Sequence, residues 1–240
     1  MTTLSASNHQ IVDRAAWLEA HRAQLVKEKA FTRQREAMAE SRRELPWLEL
    51  TEPYIFDTPD GETNLAGLFG GRSQLVVYHF MFGPDWEEGC PSCSYLADHF
   101  DGAIVHLNHR DVSMVVASRA PLDKLEGYRK RMGWRFKWLS SLGSDFNGDY
   151  HVSFADEEIA GGAVYYNYRM GQFPSEEAPG LSVFHKHANG DIFHTYSAYA
   201  RGLDMLIGAY NLLDLVPKGR DEAGLSFTME WLRRHDRYED

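Results

Sequence analysis

Two cysteines three positions apart, Cys90 and Cys93, are the only cysteines in the 240-residue chain. A C-x-x-C pair with no other cysteine is typical of thiol–disulfide redox sites or of metal ligation, and two cysteines are too few for a secreted disulfide scaffold. In the redox interpretation, Cys90 lies at the N-terminus of a helix, whose free amides and positive dipole end stabilise a thiolate. We therefore predict that Cys90 is the nucleophile and that Cys93, one helical turn later, is the resolving thiol.

The segments on either side of the cysteines predict a strand, a loop and a helix. Gln74 to Phe82 is an apolar run of strand length, rich in β-branched and aromatic residues. After the cysteines, apolar residues recur at helical spacing, namely Leu96, Phe100, Ile104 and Leu107. They predict a helix near 92–108 with Pro91 at its first position, where the missing N–H of proline costs nothing. Gly102 indicates that this helix is not fully straight.

The rest of the central region alternates between predicted strands and helices. Strands are predicted at 112–118, 136–139, 181–187 and 191–197, and helices at 122–132 and 203–213. The last two strands flank Asn189-Gly190, the strongest short-range signal for a β-hairpin. The order β–C-x-x-C–α–β–α, followed by a hairpin and a helix, predicts a thioredoxin-like α/β fold: a mixed sheet with helices on both faces.

Three regions are predicted along the chain: an N-terminal helical arm at 1–46, a thioredoxin-like domain at 47–216 and a C-terminal extension at 217–240. Val12 to Arg43 contains no proline or glycine and predicts one long helix. Its apolar residues are sparse, so we expect it to lie half exposed, over the main domain or against a second copy of the chain in a homodimer. In the extension, we interpret residues 233–236 as the exposed end of a helix.

The overall charge argues against some classes of partner. With 35 acidic and 25 basic residues the net charge is −10, so the average surface would repel a nucleic acid or an anionic membrane. The N-terminal sequence lacks the basic segment and apolar stretch of a signal peptide, and no window approaches the 18 apolar residues of a membrane helix. We therefore expect a cytoplasmic protein, in a reducing compartment where a C-x-x-C pair is rarely structural.

Five stretches of the sequence, which together span most of the chain, carry a resemblance to a known family. They are LVVYHFMFGPDWEEGCPSCS at 75–94, VASRAPL at 116–122, GWRFKWLSSLGSDFN at 133–147, FHTYSAYARGLD at 193–204 and WLRRHDRY at 231–238. In these stretches the chain resembles the domain of unknown function 899 family, predicted dithiol–disulfide oxidoreductases of the thioredoxin-like superfamily. The resemblance implies exchange with a protein or small-molecule thiol or disulfide. No organic cofactor is then needed, because the electrons reside on the two sulfurs.

Other residues are expected beside the cysteines, without a catalytic role. Pro91 and Ser92 lie between them, and Trp86 lies in the preceding loop. His79 lies near the end of the predicted strand. Enzymes with a thioredoxin-like fold carry a cis-proline that faces the site just before the hairpin strand. Pro179, two residues before that predicted strand, is the nearest candidate.

The loop before Cys90 is acidic, with Asp85, Glu87 and Glu88. Negative charge raises the pKa of a nearby thiol, so two outcomes stay open. Carboxylates that face Cys90 would disfavour its thiolate, whereas carboxylates that face solvent would leave the helix end dominant. Thiol peroxidases of this superfamily carry a Thr or Ser three residues before their peroxidatic cysteine. Because Glu87 occupies that position, a thiol peroxidase is the weaker redox alternative.

Zinc binding by a non-catalytic protein is the main alternative to redox chemistry. Cys90, Cys93, His106 and His109 come within one residue of a Cys2His2 pattern, whose last spacer is normally three to five residues. Thiolates and imidazoles suit Zn²⁺, and the two histidines could share a helix face. The long strand before the cysteines and the length of the chain argue against a small metal-stapled module. We interpret the histidines as surface or boundary residues.

Overall fold

The computed structural model describes residues 9–239 and divides the chain into two compact units, one up to Pro46 and one from Trp47 onward. The first unit contains the predicted long helix, α1 (Arg14–Arg43). The Asp13 side chain caps it by accepting a hydrogen bond from the Ala16 amide at 2.9 Å. No residue of α1 is buried, so helix propensity and capping hold it rather than a core of its own. Between residues 9 and 239, no helix is both long and apolar enough to span a bilayer.

The second unit contains the strands and the shorter helices. In its first half these are β1 (Leu48–Leu50), β2 (Ile55–Thr58), β3 (Gly61–Asn64), α2 (Leu65–Leu68), β4 (Gln74–His79), α3 (Pro91–Phe100), α4 (Ile104–Asn108) and β5 (Val112–Ser118). In its second half they are α5 (Leu122–Arg131), β6 (Lys137–Ser140), α6 (Phe146–Asp149), α7 (Asp156–Ala160), β7 (Val164–Tyr166), β8 (Arg169–Gly171), β9 (Gly180–Lys186), β10 (Ile192–Tyr199) and α8 (Gly208–Leu213).

Eight of these strands form one mixed sheet in the order β1-β10-β9-β4-β5-β6-β2-β3. β4, β5 and β6 are parallel, whereas β9 pairs antiparallel with both β4 and β10. The C-x-x-C pair lies at the start of α3, after the loop that follows β4. This is the thioredoxin-like α/β fold that the sequence predicts, extended by β1 at one edge and by the β2–β3 hairpin at the other.

Helices cover both faces of the sheet, because the central strands are buried on both sides. One face forms what we call the cysteine-side core, built from β4, α3, α5 and α8 and including Tyr78, Cys93, Leu96, Leu125 and Tyr210. The opposite face forms the histidine-side core, built from β4, α2 and α6 and including Leu68, Val77 and Phe146. Side chains alternate along β4, so consecutive residues of this strand belong to different cores.

Two predicted helices are interrupted. The helix predicted near 92–108 is divided by a 3₁₀ turn, Asp101–Ala103, at the position of Gly102. The helix predicted at 203–213 is a 3₁₀ segment, Ala200–Leu206, followed by α8. Between them Ile207 has extended backbone angles and is buried, so packing of this side chain outweighs the helical periodicity.

The C-terminal extension packs against the rest of the second unit. Glu222 accepts hydrogen bonds from the Tyr210 hydroxyl at 2.7 Å and from the Trp231 indole at 2.8 Å. The described part of the extension contains a single short 3₁₀ turn, His235–Arg237, and no α-helix. The interpretation of residues 233–236 as an exposed helix end is therefore wrong, because tertiary contacts hold this segment in an irregular conformation.

Candidate active site

Cys90 occupies the N-cap position of α3. Its backbone is held on both sides, since its amide donates to the Met81 carbonyl at 3.1 Å and its carbonyl accepts from the Ser94 amide at 2.9 Å. The thiol is free and half-buried. The pKa of Cys90 is lowered to about 7, mainly by hydrogen bonding with the Cys93 thiol. The amides at the start of α3 and the charge of Arg234 lower it further, whereas burial acts in the opposite direction.

Cys93 lies one turn into α3 and exposes only 2% of its surface. The Met81 amide donates to its sulfur at 3.5 Å. Burial raises the pKa of Cys93 well above its ordinary value, and the neighbouring Cys90 sulfur raises it further. The two thiols therefore differ in kind: near neutral pH the negative charge resides on Cys90, while Cys93 stays protonated.

The C-terminal extension places Arg234 against the turn that leads into Cys90. Its guanidinium donates to the Gly89 carbonyl from Nη2 at 2.7 Å and to the Tyr128 hydroxyl from Nε at 2.8 Å. Gly89 is closely packed, because a Cβ at this position would lie 2.7 Å from the Phe80 ring. Arg234 thus holds the turn and also brings a positive charge that favours the Cys90 thiolate.

The acidic loop does not set the charge at the thiol. Glu88 forms ion pairs with three arginines, Arg131, Arg234 and Arg237. Its pKa is lowered, mainly by the hydrogen bond from Arg131. Asp85 and Glu87 are exposed. Of the two outcomes that the sequence leaves open, the structure favours the one in which the helix end dominates, assisted by an arginine.

Ser92 and Pro179 lie with Cys93 in the wall of one cavity of about 250 Å³. Pro179 directly precedes β9, and the Ala178–Pro179 peptide is trans, unlike the cis-proline expected of thioredoxin-like enzymes. Pro91 occupies the first position of α3. Two of the expected neighbours therefore face the same space as the buried thiol, while Pro91 starts the helix.

Trp86 connects the loop before Cys90 to the segment that enters β9. Its indole N–H donates to Glu176 Oε1 at 2.5 Å. The next residue, Glu177, is buried and accepts hydrogen bonds from Arg119 and from the Ser153 hydroxyl, each at 2.6 Å. Burial raises the pKa of Glu177, and these two partners oppose the shift. These contacts anchor the segment that leads through Pro179 into β9.

A family model described as a bacterial protein of unknown function (DUF899) matches residues 6–238. The chain belongs to this family. The match includes the cysteine pair, the segment before β9 and the C-terminal extension with Arg234. It confirms the family resemblance seen in the sequence. A search of curated proteins finds no match to the chain.

Several solved structures are distantly similar to the DUF899 chain. Peroxidoxin BcpB from Mycobacterium tuberculosis is 11% identical with a TM-score of 0.45, over 68% of this chain and 94% of its own. The bacterioferritin comigratory protein of Xanthomonas campestris is 11% identical with a TM-score of 0.45, over 70% of this chain and 96% of its own. The reduced 2-Cys peroxiredoxin of Plasmodium vivax is 16% identical with a TM-score of 0.40, over 70% and 95%. Nothing about the chemistry of the DUF899 chain follows from similarities this weak.

His79 of the DUF899 chain lies in the histidine-side core, on the face of the sheet opposite the cysteines. Its ring stacks on Phe146 and Tyr150 with centroid separations of 5.3 and 5.6 Å, and its Nε2 lies 2.9 Å from Ser182 Oγ. Burial lowers the pKa of His79 to about 3, so the ring is neutral. The strand does not bring this expected neighbour to the thiols, because alternation along β4 turns its side chain away.

The four residues of the zinc alternative are not gathered together. His106 belongs to α4 and His109 follows it, and both are exposed, whereas Cys93 is buried. Within residues 9–239, no three His, Cys, Asp or Glu side chains are arranged to hold a metal ion. The arrangement of these donors in the DUF899 chain does not fit a Cys2His2 site.

Sequence reasoning missed three residues that contact the cysteine region: Tyr78, Arg234 and Glu176. The period of two along β4 could have found Tyr78, because it places residues 78 and 79 on opposite faces. No spacing rule connects Arg234 with Cys90, or Glu176 with the loop of Trp86. These contacts in the DUF899 chain join segments that are far apart in the sequence.

Proposed function

We propose that this DUF899 protein is a cytoplasmic dithiol–disulfide oxidoreductase in which Cys90 is the nucleophile and Cys93 the resolving thiol. One observation carries the proposal: a half-buried thiol at the N-terminus of α3, with its pKa lowered to about 7, is hydrogen-bonded to a buried thiol that stays protonated. A thiolate attacks disulfides, whereas a thiol does not, so this asymmetry supports the proposed order of the two steps.

In the first step, the Cys90 thiolate attacks one sulfur of a substrate disulfide. The substrate S–S bond breaks, one substrate thiolate leaves and takes a proton from solvent, and Cys90 is joined to the other half as a mixed disulfide. Arg234 is a positioning residue in this step. It holds the carbonyl of Gly89, the residue before Cys90, and its charge favours the attacking thiolate.

In the second step, Cys93 gives its proton to solvent, and the resulting thiolate attacks the Cys90 sulfur and breaks the mixed disulfide. The mixed disulfide has removed the negative charge from Cys90, so one cause of the raised pKa of Cys93 is gone at this stage. The second substrate thiol leaves, and the Cys90–Cys93 disulfide forms. Two electrons pass from the protein dithiol to the substrate disulfide, so the reaction needs no organic cofactor, and the reverse steps would oxidise a substrate dithiol.

Thiol titration of the purified protein across a glutathione redox series tests this proposal. The wild type should lose two thiols together at one midpoint with the slope of a two-electron couple, about 30 mV per tenfold change in the equilibrium ratio. Cys90→Ser should abolish exchange. Cys93→Ser should instead accumulate a mixed disulfide with glutathione, which mass spectrometry detects as an added glutathionyl group.

Two results would overturn the proposal. Equal residual exchange in both variants would contradict the assigned roles of Cys90 and Cys93. Stoichiometric zinc in the purified protein, with thiols that react only after chelation, would support the non-catalytic zinc alternative instead.

A further inference from the structure

The cavity beside Cys93 is walled mainly by apolar side chains. Its volume is about 250 Å³, and it lies between α3, the 3₁₀ segment Ala200–Leu206 and the C-terminal extension. Leu96, Leu203 and Ile207 are buried in its wall. The surface of this cavity therefore favours an apolar group over a polar one.

The charged residues of the cavity neutralise each other. Arg201 and Asp204 line it and form an ion pair at 2.7 Å. Asp204 also pairs with Arg220 at 3.0 Å, and Arg220 pairs with Asp214 at 2.8 Å. Two guanidinium groups and two carboxylates leave no net charge to hold an ionic ligand, so the cavity suits a neutral group.

One buried polar group of the cavity wall has only a weak hydrogen-bond partner. The Tyr78 side chain is fully buried, and among residues 9–239 its hydroxyl forms no hydrogen bond with an oxygen or a nitrogen. It hydrogen-bonds with the Cys93 sulfur, which is a weaker acceptor than oxygen. An acceptor oxygen on a ligand in the cavity would therefore offer this hydroxyl a stronger hydrogen bond.

We propose that this cavity binds the neutral, apolar substituent of the disulfide substrate, with the Tyr78 hydroxyl donating a hydrogen bond to an oxygen of that substituent. This inference rests on the proposed exchange function. The Cys90 sulfur is hydrogen-bonded to the Cys93 sulfur, and Cys93 lines the cavity, so a substituent carried on Cys90 as a mixed disulfide lies beside the cavity. The substrate class is therefore small disulfides whose neutral substituents carry a ring or chain and one acceptor oxygen.

Two matched disulfides test the preference in a single turnover with fully reduced protein. N,N′-dibenzoylcystamine and N,N′-diacetylcystamine share the same S–CH2–CH2–NH–C=O chain next to the reacting sulfur, and they differ only in phenyl against methyl. We expect the second-order rate constant to be roughly tenfold higher for the benzoyl compound, because burial of the phenyl ring stabilises its complex. Equal rate constants would overturn the proposal, while reduction of neither compound would overturn the exchange function itself.

A bulky side chain at the mouth of the cavity should remove this preference. Thr228 lines the cavity and is exposed, so Thr228→Trp fills the mouth without disturbing the core. We expect the ratio of the benzoyl to the acetyl rate constant to fall towards one. Ser226→Trp, an exposed position of the same loop outside the cavity, is the control and should keep the wild-type ratio. A ratio unchanged in Thr228→Trp would overturn the proposal.

A binding experiment tests the cavity independently of disulfide exchange. N-ethylbenzamide, which has no sulfur, should shift the NMR methyl signals of Leu203 and Ile207, and Tyr78→Phe should weaken its binding several-fold through the lost hydrogen bond. Tyr95→Phe is the matched control, because the Tyr95 hydroxyl is buried without a hydrogen-bond partner among residues 9–239 and Tyr95 does not line the cavity. Equal effects of the two substitutions would overturn the role of Tyr78. Binding without disulfide reduction would support the cavity and contradict the exchange function.

Discussion

Tyr78 and His79 are neighbours in β4, yet they lie on opposite faces of the sheet in opposite chemical environments. Tyr78 belongs to the cysteine-side core, in the wall of an apolar cavity that Cys93 also lines. His79 stacks on Phe146 and Tyr150 of the histidine-side core. Both residues are buried. Among the described residues, the Tyr78 hydroxyl has only the Cys93 sulfur as a hydrogen-bond partner, and Nδ1 of His79 has none.

The two faces of the sheet differ in the hydrogen-bond partners and charges that surround their buried polar groups. On the histidine side, hydrogen bonds of 2.9, 2.9 and 2.8 Å connect His79 through Ser182 and Ser197 to His194. This chain satisfies the hydroxyl groups internally. On the cysteine side, the polar groups are a half-buried thiol, helix amides and an arginine, and a cavity adjoins them. A buried polar group is thus not itself a sign of reactivity. Access and a charge-stabilising neighbour are also needed.

Activity should depend on pH through the cysteine side. Because the pKa of Cys90 is lowered to about 7, the thiolate fraction rises through that value. The exchange rate should therefore fall about tenfold for each pH unit below 6 and level off above about 8. Rate constants with glutathione disulfide between pH 5 and 9 measure this profile. A midpoint of the pH profile near the ordinary thiol pKa of about 8.5 would show that the cysteine side does not stabilise the Cys90 thiolate.

Acid stability should depend on pH through the histidine side. The pKa of His79 is about 3 in the folded protein and about 6.5 when unfolded, so between these values the unfolded state binds more protons. This histidine should therefore lower the free energy of unfolding by about 2 kcal/mol when the pH falls from 7 to 5. His79→Leu should lack that loss. Urea unfolding at both pH values measures it.

The control for His79 is an exposed histidine. His106→Leu should keep the acid sensitivity of the wild type, because His106 is exposed on α4. Neither substitution should change the exchange rate at pH 7 by more than about twofold, since both residues lie away from the cysteines. A large loss of exchange in His79→Leu would show that the histidine side of the sheet affects the cysteines, and would contradict the functional separation of the two faces.

Arg234→Gln should raise the pKa of Cys90 and slow exchange by about threefold to tenfold at pH 6.5, with little effect at pH 9. The physical reason is that the variant loses the positive charge beside the thiolate. Arg233→Gln is the matched control, because the Arg233 side chain donates to carbonyls of its own segment, those of Glu230 and Leu232. A loss of equal size at both pH values would show that Arg234 acts through structure alone.

The smallest effect is expected from the double substitution His106→Ala, His109→Ala. Both side chains are exposed, so the free energy of unfolding should change by less than about 0.5 kcal/mol per residue. The reactivity of the cysteine thiols and the metal content should not change. Loss of bound zinc in this variant, measured by metal analysis, would revive the zinc alternative.

Much of the fold could be predicted where a local signal is strong. The strand predicted at 112–118 is β5, Val112–Ser118, since a buried parallel strand is a continuous apolar run. The hairpin around Asn189-Gly190 is confirmed, because Gly190 has a φ of 100° that most residues disfavour. The start of α3 follows from Pro91, whose ring suits the first helical turn.

Prediction failed where packing outweighs local preference. The region between β6 and β9 contains short elements, α6, α7, β7 and β8, which are too brief for periodicity to reveal. Near the end of the chain, Ile207 fits a helical pattern but lies extended with its side chain buried. The C-terminal extension offers no periodic signal either, although Arg234 in it contacts the turn before the cysteine pair.

The sequence by itself determined the thioredoxin-like order of elements, the long N-terminal helix and the position of Cys90 before a helix that begins with proline. Each of these depends on residues close together in the chain. Only the tertiary structure decided that Arg234 rather than the acidic loop acts on Cys90, that His79 faces away, and that Tyr78 and Cys93 share a cavity. The pKa of a thiol depends on burial and on every nearby charge, and these are set only when distant segments meet in the folded chain.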